Sequence, residues 1–229
     1  MLRPKKKISR RELKEDSLVA TYVKLTSFYE ENKRAISIAV TAVVIAVFAV
    51  VIYVKNRADN NEKAITALGS IFETYDAGRF QTAVDGIPEK NIMGLKAIVD
   101  NYGNSEAGDL ARFYLAGAYA HLGKYDEALK DYEDFSPTGE LLAVARLSGI
   151  GSCQESRGMF REAAVSFEKA GTQYPKDVSA AENLTNAARD FGQAGDKDKA
   201  IDLYRRVKKN YPNTAFARDA DRFIAQLSV

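Results

Sequence analysis

Side chains that could do chemistry are scarce. The chain holds one histidine, His121, and one cysteine, Cys153. Together they cannot build a zinc site, which takes three or four ligands. Cys153 has no histidine or acidic partner in sequence to draw off its proton, so it reads as a small apolar side chain within a helix. A single cysteine also rules out an intramolecular disulfide. His121 falls near the end of a predicted helix, beside Gly123, and reads as an exposed helix-end residue. No Gly-rich phosphate loop occurs. Asp126, Glu127, Asp131, Glu133 and Asp134 form an acidic run, interspersed with Lys124 and Lys130. The run lacks the spacing of a calcium loop and reads as a solvated helix face. With no catalytic constellation, the chain is not expected to be an enzyme, to carry a metal or cofactor, or to act on a small molecule. What remains is recognition, and recognition depends on the helices that present it.

Those helices announce themselves by repetition. Gly123, Gly158 and Gly195 recur after 35 and 37 residues. The same two spacings relate Ala128, Ala163 and Ala200, and again Tyr132, Phe167 and Tyr204. Two units close on Tyr174-Pro175 and Tyr211-Pro212, and the first on Phe135-Ser136-Pro137. Each position has a physical task. Glycine ends a first helix in a left-handed conformation that is cheap only without a Cβ. Alanine stands where two helices cross closely, and the aromatic residue one turn later fills the gap between repeats. Proline stops the second helix. Such a pair cannot bury its apolar stripe alone, so pairs stack.

These residues resemble the tetratricopeptide repeat, whose usual period is about 34. The likeness covers residues 107–212 as three repeats and implies an all-α solenoid. Arg112, Leu147 and Leu184 hold the position where a large residue opens the first helix, while Gln154 and Lys197 depart from the usual apolar choices. Upstream, Ala77-Gly78-Arg79-Phe80 with Ala83 echoes the signal before it breaks at Asp85-Gly86-Ile87-Pro88, so residues 55–106 read as a degenerate first repeat or cap. Ser105 and Thr214 are good N-cap residues, and Thr214 opens a capping helix within 213–229. The repeat register assigns a concave peptide groove. Its first section is Phe113, Gly117, Ala120 and His121; its second is Ser148, Ser152, Glu155 and Ser156; its third is Glu182, Thr185, Arg189 and Gln193. A clamp for C-terminal carboxylates needs several Lys, Asn or Arg side chains, and only Arg189 offers one. The mixed, mostly small lining suits an extended peptide or a protein edge.

Ahead of the repeats, Ala35 to Val54 carry no charge: twelve Ile, Val or Phe, five Ala, and only Ser37, Thr41 and Tyr53 with a polar group. Twenty helical residues span about 30 Å, the thickness of a bilayer's hydrocarbon core. Residues 1–34 hold ten Lys or Arg against five Asp or Glu, and residues 55–229 hold 23 against 26. The basic side stays cytoplasmic, so the N-terminus is expected inside and the repeats exported. The run is too long for a cleaved signal core of about 7–15 residues, and an uncleaved anchor fits better. Within it Ala35, Ala39, Ala42, Ala46 and Ala49 share one helix face, a candidate docking face for another membrane helix. In the leader, Leu18, Tyr22, Leu25 and Tyr29 make an apolar stripe beside the basic run Lys5-Lys6-Lys7, and this segment is expected to lie on the headgroup layer. The repeat region is not basic, which argues against nucleic acid.

A basic amphipathic leader, one span, a degenerate pair and three repeats together resemble the bacterial single-pass inner-membrane tetratricopeptide proteins that include the ancillary subunit of the SecYEG translocon, the YfgM-like family. The segment from Gly94 to Gly103 running into Ala111 to Gly117 is similar to one typical of that family. The resemblance implies a partner role at the periplasmic side of the translocon, with periplasmic chaperones or emerging polypeptides as further partners. The alternative is a scaffold that tethers another envelope or respiratory complex.

Overall fold

The computed structural model describes residues 10–228, with side-chain surroundings from residue 19 onward. The basic run at 5–7 and the side chain of Leu18 lie outside the described residues. The first helix, α1, spans Arg10–Asp76, and the chain divides into two compact units between Asn56 and Arg57.

In the first unit the uncharged stretch is helical throughout, and its large side chains, apart from the half-buried Ile36, are open. Ile38, Phe48 and Ile52 are 64–70% exposed, and nothing in the most apolar window is buried. Length and composition suffice for this helix to cross a membrane. Tyr22, Leu25 and Tyr29 are exposed on the same helix, which runs into the apolar stretch without a break.

The second unit is a row of antiparallel helix pairs. The part of α1 from Arg57 onward pairs with α2 (Phe80–Asp85). Three fuller pairs follow: α4 (Glu106–His121) with α5 (Tyr125–Asp134), α6 (Glu140–Ser156) with α7 (Phe160–Gln173), and α8 (Ala180–Gln193) with α9 (Lys197–Asn210). A final helix, α10 (Ala215–Leu227), closes the row. Every pair turns the same way. Gly78, Gly123, Gly158 and Gly195 have φ between +70° and +86°. The amide after each glycine donates back to a carbonyl five residues earlier: Arg79 to Thr74, Lys124 to Tyr119, Met159 to Gln154 and Asp196 to Phe191. This is the Schellman closure, and it satisfies carbonyls the helix end would otherwise orphan.

Crossings follow the small-residue logic. Ala83, Ala128, Ala163 and Ala200 have no exposed surface, and Tyr132, Phe167 and Tyr204 are buried a turn beyond the last three. The aromatic rings nest on glycines of first helices. A Cβ at Gly149 would stand 2.5 Å from the Tyr132 ring, and one at Gly151 3.0 Å from Phe167. Arg112, where a large apolar residue is usual, is held by Asp109 at 3.2 Å and Asp131 at 3.7 Å. Ser105 and Thr214 do cap their helices, accepting from the amides of Gly108 and Ala217.

The pair before α4 is the irregular one. After six residues α2 gives way to a two-stranded hairpin, β1 (Gly86–Ile87) with β2 (Ile92–Met93), antiparallel with Gly86 opposite Met93. Gly86 and Gly94 pass so closely that a Cβ on either would meet backbone at 2.2–2.5 Å. Helix α3 (Leu95–Tyr102) then packs beside α2 on α4.

Candidate functional site

First helices of successive pairs run parallel, so their inner faces form one continuous surface. Asn61 accepts from the Ala107 amide at 2.8 Å near the start of α4, and Phe72 meets Tyr114 edge-on at 5.3 Å further along. From α6 to α8, Ser148 donates to Asn183 at 2.8 Å and Glu155 pairs with Arg189 at 2.7 Å.

The twelve groove positions do not behave alike. At α4 the expectation of an open lining needs correction. Phe113 sits in an aromatic cluster with Tyr114, Tyr132 and Phe135 at 5.3–5.7 Å. Gly117 is buried, and a Cβ there would stand 2.6 Å from the Tyr75 hydroxyl. Ala120 is half-buried within the α4–α5 core. His121 is exposed, but its ring stacks flat on Phe80 of α2 at 4.2 Å. The physical reason is the pair in front: Tyr75 and Phe80 occupy the space that the register of α4 alone would leave empty.

Further along, most of the positions expected to line the groove are exposed and polar. Ser152 and Ser156 of α6 are exposed, as are Glu182, Arg189 and Gln193 of α8. Thr185 is half-buried and donates to the Ala181 carbonyl at 2.8 Å. Thr185, Arg189 and Gln193 line a cavity of about 400 Å³ with Tyr204, Phe223, Gln226 and Leu227. Glu155 and Arg189, assigned separately to the groove, neutralise one another. Arg189 is therefore not a free cation awaiting a carboxylate.

Some features lay beyond sequence reasoning. A cavity of about 730 Å³ lies between α1, the loop into α4 and the loop after α5, lined by Asn61, Ile65, Leu110, Arg112, Phe135 and Leu142 among others. The only available signal was Ile65, an apolar residue off the buried stripe of Ala64, Leu68 and Ile71. Asp190 is completely buried in α8, with no hydrogen bond to either carboxylate oxygen. Burial pushes its carboxyl up to about 6; nearby Glu155 adds to this and Arg189 opposes it. Burial raises Asp131 to about 6 as well, against the pull of Arg112. Cys153 is buried and its thiol is pushed up to about 11 by desolvation, which makes it a packing residue with little thiolate. The alanines at 35, 39, 42, 46 and 49 are all exposed on α1.

No curated protein matches the chain by sequence. A tetratricopeptide repeat family model matches residues 110–136 and 182–214, which are the α4–α5 and α8–α9 pairs with their flanks. The unmatched α6–α7 pair has the same glycine turn, alanine crossing and aromatic residue. The chain is an all-α array of tetratricopeptide-type helix pairs preceded by one long apolar helix, and such repeats serve protein–protein interaction.

Proposed function

We propose that this chain is a membrane-anchored interaction module with its N-terminus in the cytoplasm and its repeats exported, working beside the Sec translocon with periplasmic chaperones or emerging chains as partners. One observation carries the reading: a single chain joins an exposed, uncharged helical stretch of bilayer length to a helix-pair array with an open polar groove. The excess of Lys and Arg before the stretch supports the orientation. The layout and the segment at 94–117 support the secretory setting. Partners meet the array at the open half of the groove, from Ser152 to Gln193. Most of its side chains are small or uncharged there and its one strong ion pair is internal, so contact with extended backbone suits it better than charge matching.

Crosslinking in native membranes followed by mass spectrometry tests the partnership. Translocon subunits, periplasmic chaperones and nascent chains should be captured. Capture of one stoichiometric complex without translocon subunits would replace the secretory reading by the scaffold. Protease added to spheroplasts should digest the repeats and spare the leader. Protected repeats would overturn the orientation.

A further inference from the structure

Asp190 is the anomaly of the array. A carboxylate wholly removed from water normally retains donors, because losing hydration without them costs several kcal/mol. Asp190 has no exposed surface, neither of its oxygens forms a hydrogen bond, and its contact with Arg189 is a long ion pair. Three elements bring ionisable groups to it: Glu155 from α6, Arg189 from α8 itself and Tyr204 from α9. Arg189 spends its Nη2 on Glu155 at 2.7 Å, and its Nε stops 3.5 Å from Asp190 without forming a hydrogen bond. One guanidinium thus serves two carboxylates, and the trio keeps a net negative charge inside a helix joint. The joint also carries the Ser148–Asn183 hydrogen bond, so α6 and α8 are tied at two places along their length.

We propose that Asp190 is a proton-operated catch on the joint between the second and third full helix pairs, holding α6, α8 and α9 together when protonated and loosening them when ionised. The direction follows from linkage. The buried carboxyl titrates near 6, above its ordinary value, so the closed joint binds more protons than the open one. Closure is strongest below the ordinary carboxyl range near 4. It weakens as pH rises from there through about 6, and is level above. Because Glu155 and Arg189 face the open groove, loosening this joint widens the polar half of that groove and leaves the α1–α4 packing untouched. The catch works whichever partner the groove receives.

Hydrogen exchange with mass spectrometry on the full-length protein in detergent tests it, with exchange times corrected for intrinsic rates. Between pH 5 and pH 7.5, opening of α8 should increase about tenfold if the opened carboxyl regains its ordinary value. In Asp190→Asn the slow exchange should persist at both values. Asp190→Ser, which also removes the charge but leaves space, should exchange faster than the Asn variant yet equally at both. Arg189→Gln should move the midpoint to higher pH. A pH response that survives in both Asp190 variants overturns the proposal, as does one that spares α6, α8 and α9 or an unmodified chain with no response.

Discussion

Two stretches of α1 have the same backbone and opposite surfaces. From Ala35 to Val54 apolar side chains point in every direction, and all of the large ones except the half-buried Ile36 stand open. From Arg57 to Asp76 the apolar side chains divide. Ala64, Leu68 and Ile71, spaced four and three apart, are buried against α2, α3 and α4, while Ile65 and Phe72 remain 56% and 41% exposed. A helix that is apolar all round needs an apolar solvent, and one with a stripe needs a packed neighbour. Secondary structure is silent on the difference; the period of the hydrophobic pattern states it.

The contrast can be broken at either stretch. Ile71→Ala should cost the repeat unit about 2–5 kcal/mol, whereas Ile65→Ala should change its stability by less than about 0.5 kcal/mol. Thermal unfolding compares the two, and equal shifts would mean that the stripe is misassigned. Val47→Lys puts a charge at the middle of the uniform stretch, at a cost of about 3 kcal/mol for insertion. The protein should then move toward the alkali-extractable fraction, and unchanged membrane retention would deny this stretch the role of anchor. Ala163→Leu probes whether the buried logic extends into the array. Overpacking the α6–α7 crossing should cost about 1–3 kcal/mol, while Lys130→Leu on the exposed face of α5 should be nearly silent. The smallest effect is expected at the end of the row: Thr214→Ala removes the cap from the Ala217 amide and should lower stability by about 0.5–2 kcal/mol. No loss there would show that α10 is held by packing alone.

Much of the array was legible because its signals are local. A left-handed turn needs glycine, a close crossing needs alanine, and a helix end tolerates proline. Each of these can be read from residue type and spacing without knowing any neighbour. The groove at α4 was not legible in the same way. Whether Gly117 is lining or packing depends on Tyr75, 42 positions earlier, and whether His121 is free depends on Phe80. The hairpin at 86–93 announced itself only as a broken pattern, since two strands of two residues leave no period to detect. Asp190 was hidden for a further reason. An acidic residue between Arg189 and Phe191 looks like any exposed helix position until the rotation of α8 turns it inward.

The lone thiol gives the molecule a native clock. Cys153 is buried in α6 and barely ionised near neutral pH, so a thiol reagent reaches it only when its surroundings part. With no second cysteine to compete, the reaction is one event per chain. At low reagent concentration its rate reports how often the middle of the array is open. At high concentration it saturates at the rate of opening itself. The unaltered chain therefore carries, at its centre, a probe that separates the population of the open state from the speed of reaching it.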